Sequence, residues 1–174
     1  SRTAWEVVSA FGASHPGRIV LWICERANVL RDLFSQVWTS KGLSVLNLVA
    51  RKDHEWAWKA QSATCWGKPV LVILTRAYLA SRTRYTGLRV GSVGLVIHDE
   101  CHSGCRGTMD AFFDWLRSEQ KQARVIGLSA TPPPESRIVS RFSIYDAMGA
   151  GVILPVKLVW GQGMSSGDLG CAAC

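Results

Sequence analysis

Two polar clusters each follow a short apolar run, and their side chains are of types that carry out chemistry. Residues 93–97 (VGLVI) precede residues 98–102 (HDECH), and residues 125–128 (VIGL) precede residues 129–132 (SATP). Apolar runs of this length predict buried strands, and functional residues of an open α/β sheet lie at the carboxyl ends of its strands. The sequence therefore predicts two adjacent carboxylates and two hydroxyls at one edge of a sheet.

Asp99 and Glu100 are the side chains that phosphoryl transfer requires at a strand end. Mg²⁺ dehydrates reluctantly and binds few protein ligands, so Asp99 is predicted to hold Mg²⁺ through water. Because side chains alternate along a strand, Glu100 is expected to point to the other side of the strand end. There it can orient the water that attacks a γ-phosphate. The alternative is a solvated strand end with two incidental acids.

The histidines and cysteines raise two metal hypotheses. Zinc proteases use His-Glu-x-x-His on a helix, whereas His98 and His102 span a strand end, where residues four apart lie about 13 Å apart. The spacing therefore argues against a protease. A structural zinc with four thiolate ligands is a more distant hypothesis. Its ligands would be Cys101, Cys105, Cys171 and Cys174.

The composition is that of a globular, basic domain. Of the 174 residues, 48% are hydrophobic and 19% are charged, which excludes a disordered chain. Fourteen of the 20 basic residues are Arg, and 13 acidic residues leave a net charge of +7, which favours phosphate and nucleic-acid partners. No apolar stretch approaches the roughly 20 residues of a membrane span, and no signal peptide is recognisable. We expect a soluble intracellular protein without a membrane partner; cytoplasm, nucleus and viral factory are not distinguished.

Strand-like and helix-like segments alternate along the chain. Helices are predicted at residues 3–13, 27–38, 54–66, 109–119 and 144–148, with a short one through Tyr78 and Leu79. Strands are predicted at residues 18–24, 43–49, 69–75, up to 98, up to 128 and 152–160. This alternation predicts an α/β fold, a parallel sheet with helices on both faces. Residues 161–174, rich in Gly and Ser, are predicted to form a flexible tail.

The two polar clusters, in this order and spacing, resemble motif II (Asp-Glu-x-His) and motif III (Ser-Ala-Thr) of superfamily 2 DEAD/DEAH-like helicases. The resemblance implies that residues 1–160 are the first RecA-like P-loop NTPase lobe, with ATP and Mg²⁺ as cofactors and DNA or RNA as partner. It implies that Asp99 and Glu100 bind the nucleotide and act in catalysis with His102. The coupling motif would be Ser129, Ala130 and Thr131, whose hydroxyls would hydrogen-bond to His102.

Three weaker resemblances accompany these motifs. Residues 21–30 are similar to motif Ia and 72–76 to motif Ib/Ic, which implies that Arg26 and Thr75 contact nucleic acid. Either segment could equally be a strand end with a solvated Arg. Residues 142–155 resemble a stretch that follows motif III in the branch of type III restriction enzymes and UvrB-like proteins.

Two parts of a working helicase are missing from the 174 residues. The phosphate-binding pattern Gly-x-x-x-x-Gly-Lys-Ser/Thr is absent, because the only Gly-Lys pair, Gly67-Lys68, precedes Pro69. A second RecA-like lobe, which supplies arginine fingers, is also absent. We expect an N-terminally truncated domain of an ATP-dependent helicase or translocase, inactive when isolated. The alternative is a non-catalytic RecA-like module that binds nucleic acid or serves as a scaffold.

Overall fold

A computed structural model describes residues 2–26, 44–47, 56–67, 70–102, 107, 109–132, 141, 146 and 149–150. The chain divides into two units, Ser1–Ser136 and Arg137–Cys174. In the second unit, the Ala150 N–H donates to the Asp146 carbonyl at 2.9 Å, as in a helical turn. The predicted helix at 27–38, the strand at 152–160 and the tail at 161–174 lie outside the described residues.

The first unit is built on a parallel sheet of five strands in the order β2-β3-β1-β4-β5. The strands are β1 (Ile19–Cys24), β2 (Ser44–Asn47), β3 (Val70–Thr75), β4 (Val93–His98) and β5 (Arg124–Gly127). Every residue of β1 and β4 is buried, which explains why they are continuous apolar runs rather than alternating ones. The prediction of a parallel α/β sheet is confirmed.

The helices are α1 (Arg2–Ser14), α2 (Trp56–Cys65), α3 (Arg76–Leu79) and α4 (Asp110–Glu119), with a 3₁₀ turn at Arg82–Arg84. In α1, Trp5 and Val8 lie on one buried face, and the helix ends just before Pro16, which cannot continue it. In α4, Phe112, Trp115 and Leu116 have the spacing of one helix face and are buried. No helix among the described residues is long and apolar enough to cross a membrane.

The side chains of β1 alternate between two hydrophobic cores. Leu21 and its neighbours two residues away pack with α2 and α4, whereas Trp22 belongs to the core formed with α1. This alternation is the expected consequence of a two-residue period in a strand. Helices therefore cover both faces of the sheet, as predicted.

The prediction that β5 is a buried strand is wrong. Within the described part of the chain β5 is an edge strand paired with β4 alone, and it ends at Gly127, one residue before the predicted end. Most of its residues are exposed, and Val125 retains 48% of its accessible surface. An apolar run indicates a strand, but the position of that strand in the sheet depends on tertiary structure that the run does not encode.

Candidate functional site

The register of the sheet places four strand ends side by side. Cys24 pairs with Thr75, Ile23 pairs with His98, and His98 pairs with Gly127. The residues that follow β1, β3, β4 and β5 therefore lie along the carboxyl edge, where ligands bind to open α/β sheets. Both predicted polar clusters, residues 98–102 and 129–131, are brought to this edge.

Backbone hydrogen bonds fasten the acidic turn, residues 99–102, to its neighbours. The Asp99 N–H donates to the Ile23 carbonyl at 2.9 Å, which ties the start of the turn to β1. The Leu128 N–H donates to the His98 carbonyl at 2.9 Å, and the Cys101 N–H donates to the Leu128 carbonyl at 3.0 Å. The turn is thus held on both sides, so its side chains have a defined position relative to the end of β5.

Glu100 adopts a left-handed backbone conformation with φ of 50°. A non-glycine residue in this region costs of order 1–3 kcal/mol and persists only where the surroundings impose it. The Asp99 carboxylate contributes, because its Oδ1 accepts the Glu100 N–H at 3.1 Å. Strand alternation does not orient Glu100, contrary to the sequence prediction, because β4 ends at His98 and a turn follows.

Arg76 is a site residue that the sequence analysis missed. Its Nη2 donates to the Asp99 carbonyl at 2.9 Å and also to the Glu100 carbonyl. The guanidinium therefore holds the backbone of the acidic turn at two consecutive carbonyls. The available signal was an Arg directly after a predicted strand end, for which the sequence left a solvated side chain as an equal alternative.

Thr75 has a structural contact in this region. Its Oγ1 accepts the Tyr78 N–H at 3.2 Å and caps α3, which positions Arg76 at the first turn of that helix. Arg26 is exposed two residues after β1 and has no hydrogen bond or ion pair among the described residues. A role for Thr75 or Arg26 in nucleic-acid binding stays a prediction.

His102 joins the two polar clusters. Its Nδ1 shares a hydrogen bond of 2.7 Å with Ser129 Oγ, and the same nitrogen lies 3.4 Å from Glu100 Oε2. Ser129 Oγ also accepts the Thr131 N–H at 3.0 Å, so Thr131 acts through its backbone. Ala130 lies between these two residues and is exposed. The structure thus forms a continuous polar chain from Glu100 to Thr131.

Two ionisable groups next to this chain are buried and uncharged at neutral pH. Burial lowers the pKa of His98 to about 4, and the charge of Arg76 lowers it further than Asp99 raises it. Burial raises the pKa of the Cys24 thiol to about 11, and Asp99 adds to the effect. The Cys24 thiol donates to the Leu74 carbonyl at 3.6 Å. Both residues support the strand ends without adding charge to the site.

The carboxylates at the edge supply oxygen ligands of the kind that a hydrated magnesium ion uses. One Asp99 oxygen accepts a backbone N–H, and the other has no hydrogen bond among the described residues, which leaves it for water-mediated Mg²⁺ binding. Among the described residues, no three or more His, Cys, Asp and Glu form a metal-binding group. Cys101 forms no disulfide among the described residues, and the other three proposed zinc ligands lie outside them.

Together, the parallel sheet and the helices on both of its faces form an α/β fold of the RecA-like type. Among solved structures, the chain is similar to the helicase domain of Hef from Pyrococcus furiosus, with a TM-score of 0.57 and 19% sequence identity. The match covers 76% of this chain and 28% of the Hef chain, and at this identity it shows the fold alone. No protein-family model and no curated protein sequence matches the chain.

Proposed function

We propose that this chain is part of an ATP-dependent nucleic-acid helicase or translocase, with its nucleotide site at the carboxyl edge of the sheet. The observation that carries the proposal is the 2.7 Å hydrogen bond between His102 Nδ1 and Ser129 Oγ. It joins the acidic turn to the hydroxyl cluster, as coupling between hydrolysis and motion requires. Incidental acids at a solvated strand end would need neither this bond nor a strained backbone at Glu100.

The two carboxylates of the acidic turn have different roles. Asp99 is held by its backbone to β1 and keeps one carboxylate oxygen for a water ligand of Mg²⁺. Glu100 is exposed, so its carboxylate can accept a hydrogen bond from the water that attacks the γ-phosphate. When bound, Mg²⁺ supplies the positive charge that neutralises the phosphates of ATP.

Arg76 and His102 set the geometry of these carboxylates. Arg76 holds two consecutive carbonyls of the turn, which keeps Glu100 in its left-handed conformation. His102 lies within 3.4 Å of the Glu100 carboxylate and is hydrogen-bonded to Ser129. A change at the γ-phosphate that moves Glu100 would therefore reach the end of β5 through two contacts.

The test requires the gene that encodes this chain together with its flanking coding sequence. Glu100→Gln should lower ATP hydrolysis by about 100-fold or more, because a positioned acid or base typically contributes that much. Binding of a fluorescent ATP analogue should be preserved, because the amide has the same shape. Glu6→Gln, the same substitution at an exposed position of α1, is the matched control and should have no effect.

Two outcomes would contradict the proposal. Hydrolysis by the Glu100→Gln protein at the wild-type rate would remove Glu100 from the reaction. Absence of ATP binding and hydrolysis in the wild-type protein would favour the non-catalytic RecA-like module. The 174-residue chain alone should hydrolyse ATP only weakly, because the pattern Gly-x-x-x-x-Gly-Lys-Ser/Thr, which holds the phosphates, does not occur in it.

A further inference from the structure

Two neighbouring cavities lie at the amino edge of the sheet, opposite the proposed nucleotide site. One has a volume of about 190 Å³ and is lined by Phe11, His15, Arg18, Gly94, Gln122 and Arg124. The other, of about 430 Å³, shares Arg18 and Gln122 with the first and adds Lys121. Because β1 and β4 are six residues long, the two edges lie roughly 20 Å apart. These cavities are therefore separate from the acidic turn.

Two side chains pack closely on β4 at the first cavity. A Cβ at Gly94 would lie 2.6 Å from the Phe11 ring and 2.9 Å from Arg18 Cβ, so only glycine lets both side chains approach β4 this closely. The Phe11 ring stacks on His15 with the centroids 4.4 Å apart. Arg18 Nη2 donates to Gln122 Oε1, which holds the guanidinium in the wall shared by the two cavities. Close packing of Phe11 and Arg18 on β4 therefore forms one wall of the cavity.

The charge along these cavities is predominantly positive. Arg18, Lys121 and Arg124 contribute three cations, and Glu119 is the acidic residue that lines the second cavity. Within the described part of the chain, no carboxylate forms an ion pair with any of the three cations. Lys121 and Arg124 are exposed, so their charges face solvent. A row of cations without carboxylate partners attracts an anionic ligand.

We propose that the amino-edge strip, defined as Arg18, Lys121, Gln122 and Arg124, binds the phosphate backbone of a nucleic-acid strand. Arginine guanidinium groups match phosphate oxygens in pairs, and Arg18 and Arg124 line one cavity. Two adjoining cavities that share Arg18 suit successive phosphates of a strand better than one free phosphate ion. This contact does not depend on ATP hydrolysis at the opposite edge, and it is distinct from the predicted contact at Arg26.

The test measures binding of a short fluorescein-labelled oligothymidylate to the full chain by anisotropy over a range of salt concentrations. Arg124→Gln should weaken binding about tenfold at low salt and flatten the slope of log affinity against log salt by about 0.7, the value for one single-strand phosphate contact. Arg124→Lys should keep the slope. Arg117→Gln removes an exposed arginine of α4 that pairs with Asp114 and should leave affinity and slope unchanged.

A Lys121→Gln and Arg124→Gln double variant should flatten the slope by about twice as much, and thermal melting verifies that each variant is folded. Competition with inorganic phosphate distinguishes the source of the phosphate. If phosphate displaces the oligonucleotide only at the concentration where sodium chloride also does so, the strip binds a strand. If phosphate displaces it at a much lower concentration, the strip is instead a site for a free anion. If the double variant keeps the wild-type affinity and slope, the proposal is overturned. This holds whether or not Arg26→Gln weakens binding, and it does not depend on the ATPase result.

Discussion

Replacing Gly127 by alanine should disturb the acidic turn through a single contact. A Cβ at Gly127 would lie 2.8 Å from Cys101 Sγ and 3.3 Å from Cys101 Cβ, and a separation below 3.0 Å forces one of them to move. Rotation of the Sγ does not relieve the 3.3 Å contact, because the Cys101 Cβ follows the backbone, whose N–H donates to the Leu128 carbonyl at 3.0 Å. The substitution therefore pushes the turn away from β5, or pushes β5 away from the turn.

The expected change in the free energy of unfolding follows from two opposing effects. Overpacking of a well-ordered contact lowers the free energy of unfolding by about 2 kcal/mol. Because alanine is less flexible than glycine in the unfolded chain, the substitution also raises the free energy of unfolding by about 0.7 kcal/mol. Gly127→Ala should therefore lower the free energy of unfolding by about 1 kcal/mol. Removing the sulfur with Cys101→Ala relieves the 2.8 Å contact, so in that background Gly127→Ala should be neutral or slightly stabilising. The coupling energy between the two substitutions is about 2 kcal/mol.

The assay is urea unfolding followed by tryptophan fluorescence, with Trp22 buried in the sheet as a reporter. Gly17→Ala is the matched control, because a Cβ at Gly17 meets no atom within 4 Å. Equal destabilisation by Gly127→Ala in the wild-type and Cys101→Ala backgrounds would refute the contact. In the complete protein, Gly127→Ala should also slow ATP hydrolysis, and Cys101→Ala should restore part of it.

Three further predictions concern single residues. In urea unfolding, Glu100→Gly should raise the free energy of unfolding by up to about 1 kcal/mol, because glycine accepts φ of 50° without strain. A clear decrease in the free energy of unfolding would contradict backbone strain at Glu100. The pKa of His98 is about 4 when folded and near 6.5 when unfolded, so the unfolded chain binds more protons between these values. The free energy of unfolding should therefore fall by up to about 3 kcal/mol from pH 6.5 to pH 4. His98→Gln should remove that part of the dependence of the free energy of unfolding on pH. Peptide mapping after iodoacetamide should show Cys65, which is exposed, modified before the buried Cys24, whose pKa is about 11; equal rates would contradict this burial.

The main architecture follows from local patterns in the sequence. The run at residues 93–97 predicts β4, and the polar residues after it predict a site at its carboxyl end, because a buried strand tolerates polar side chains only where it ends. The apolar spacing around Trp5 and Val8 predicts α1 within one residue at each end. These predictions succeed because one face of each element must be buried for the sheet to form.

Other features depend on contacts between distant parts of the chain. Arg76 meets the Asp99 carbonyl across 23 residues of sequence, and no local pattern marks that contact. The φ of Glu100 results from bonds on both sides of the turn, so strand alternation gave the wrong orientation rule. The exposure of Val125 follows from the position of β5 at an edge, which the apolar run does not specify.

The central proposal is that the carboxyl edge hydrolyses ATP and that nucleic acid stimulates this hydrolysis. The most direct measurement is steady-state phosphate release by the complete protein, with and without single-stranded nucleic acid, for wild type and Ser129→Ala. The hydrogen bond between His102 and Ser129 predicts release that nucleic acid stimulates in wild type and a reduced stimulation in Ser129→Ala, with basal release retained. No phosphate release by the wild-type protein in either condition would contradict the claim.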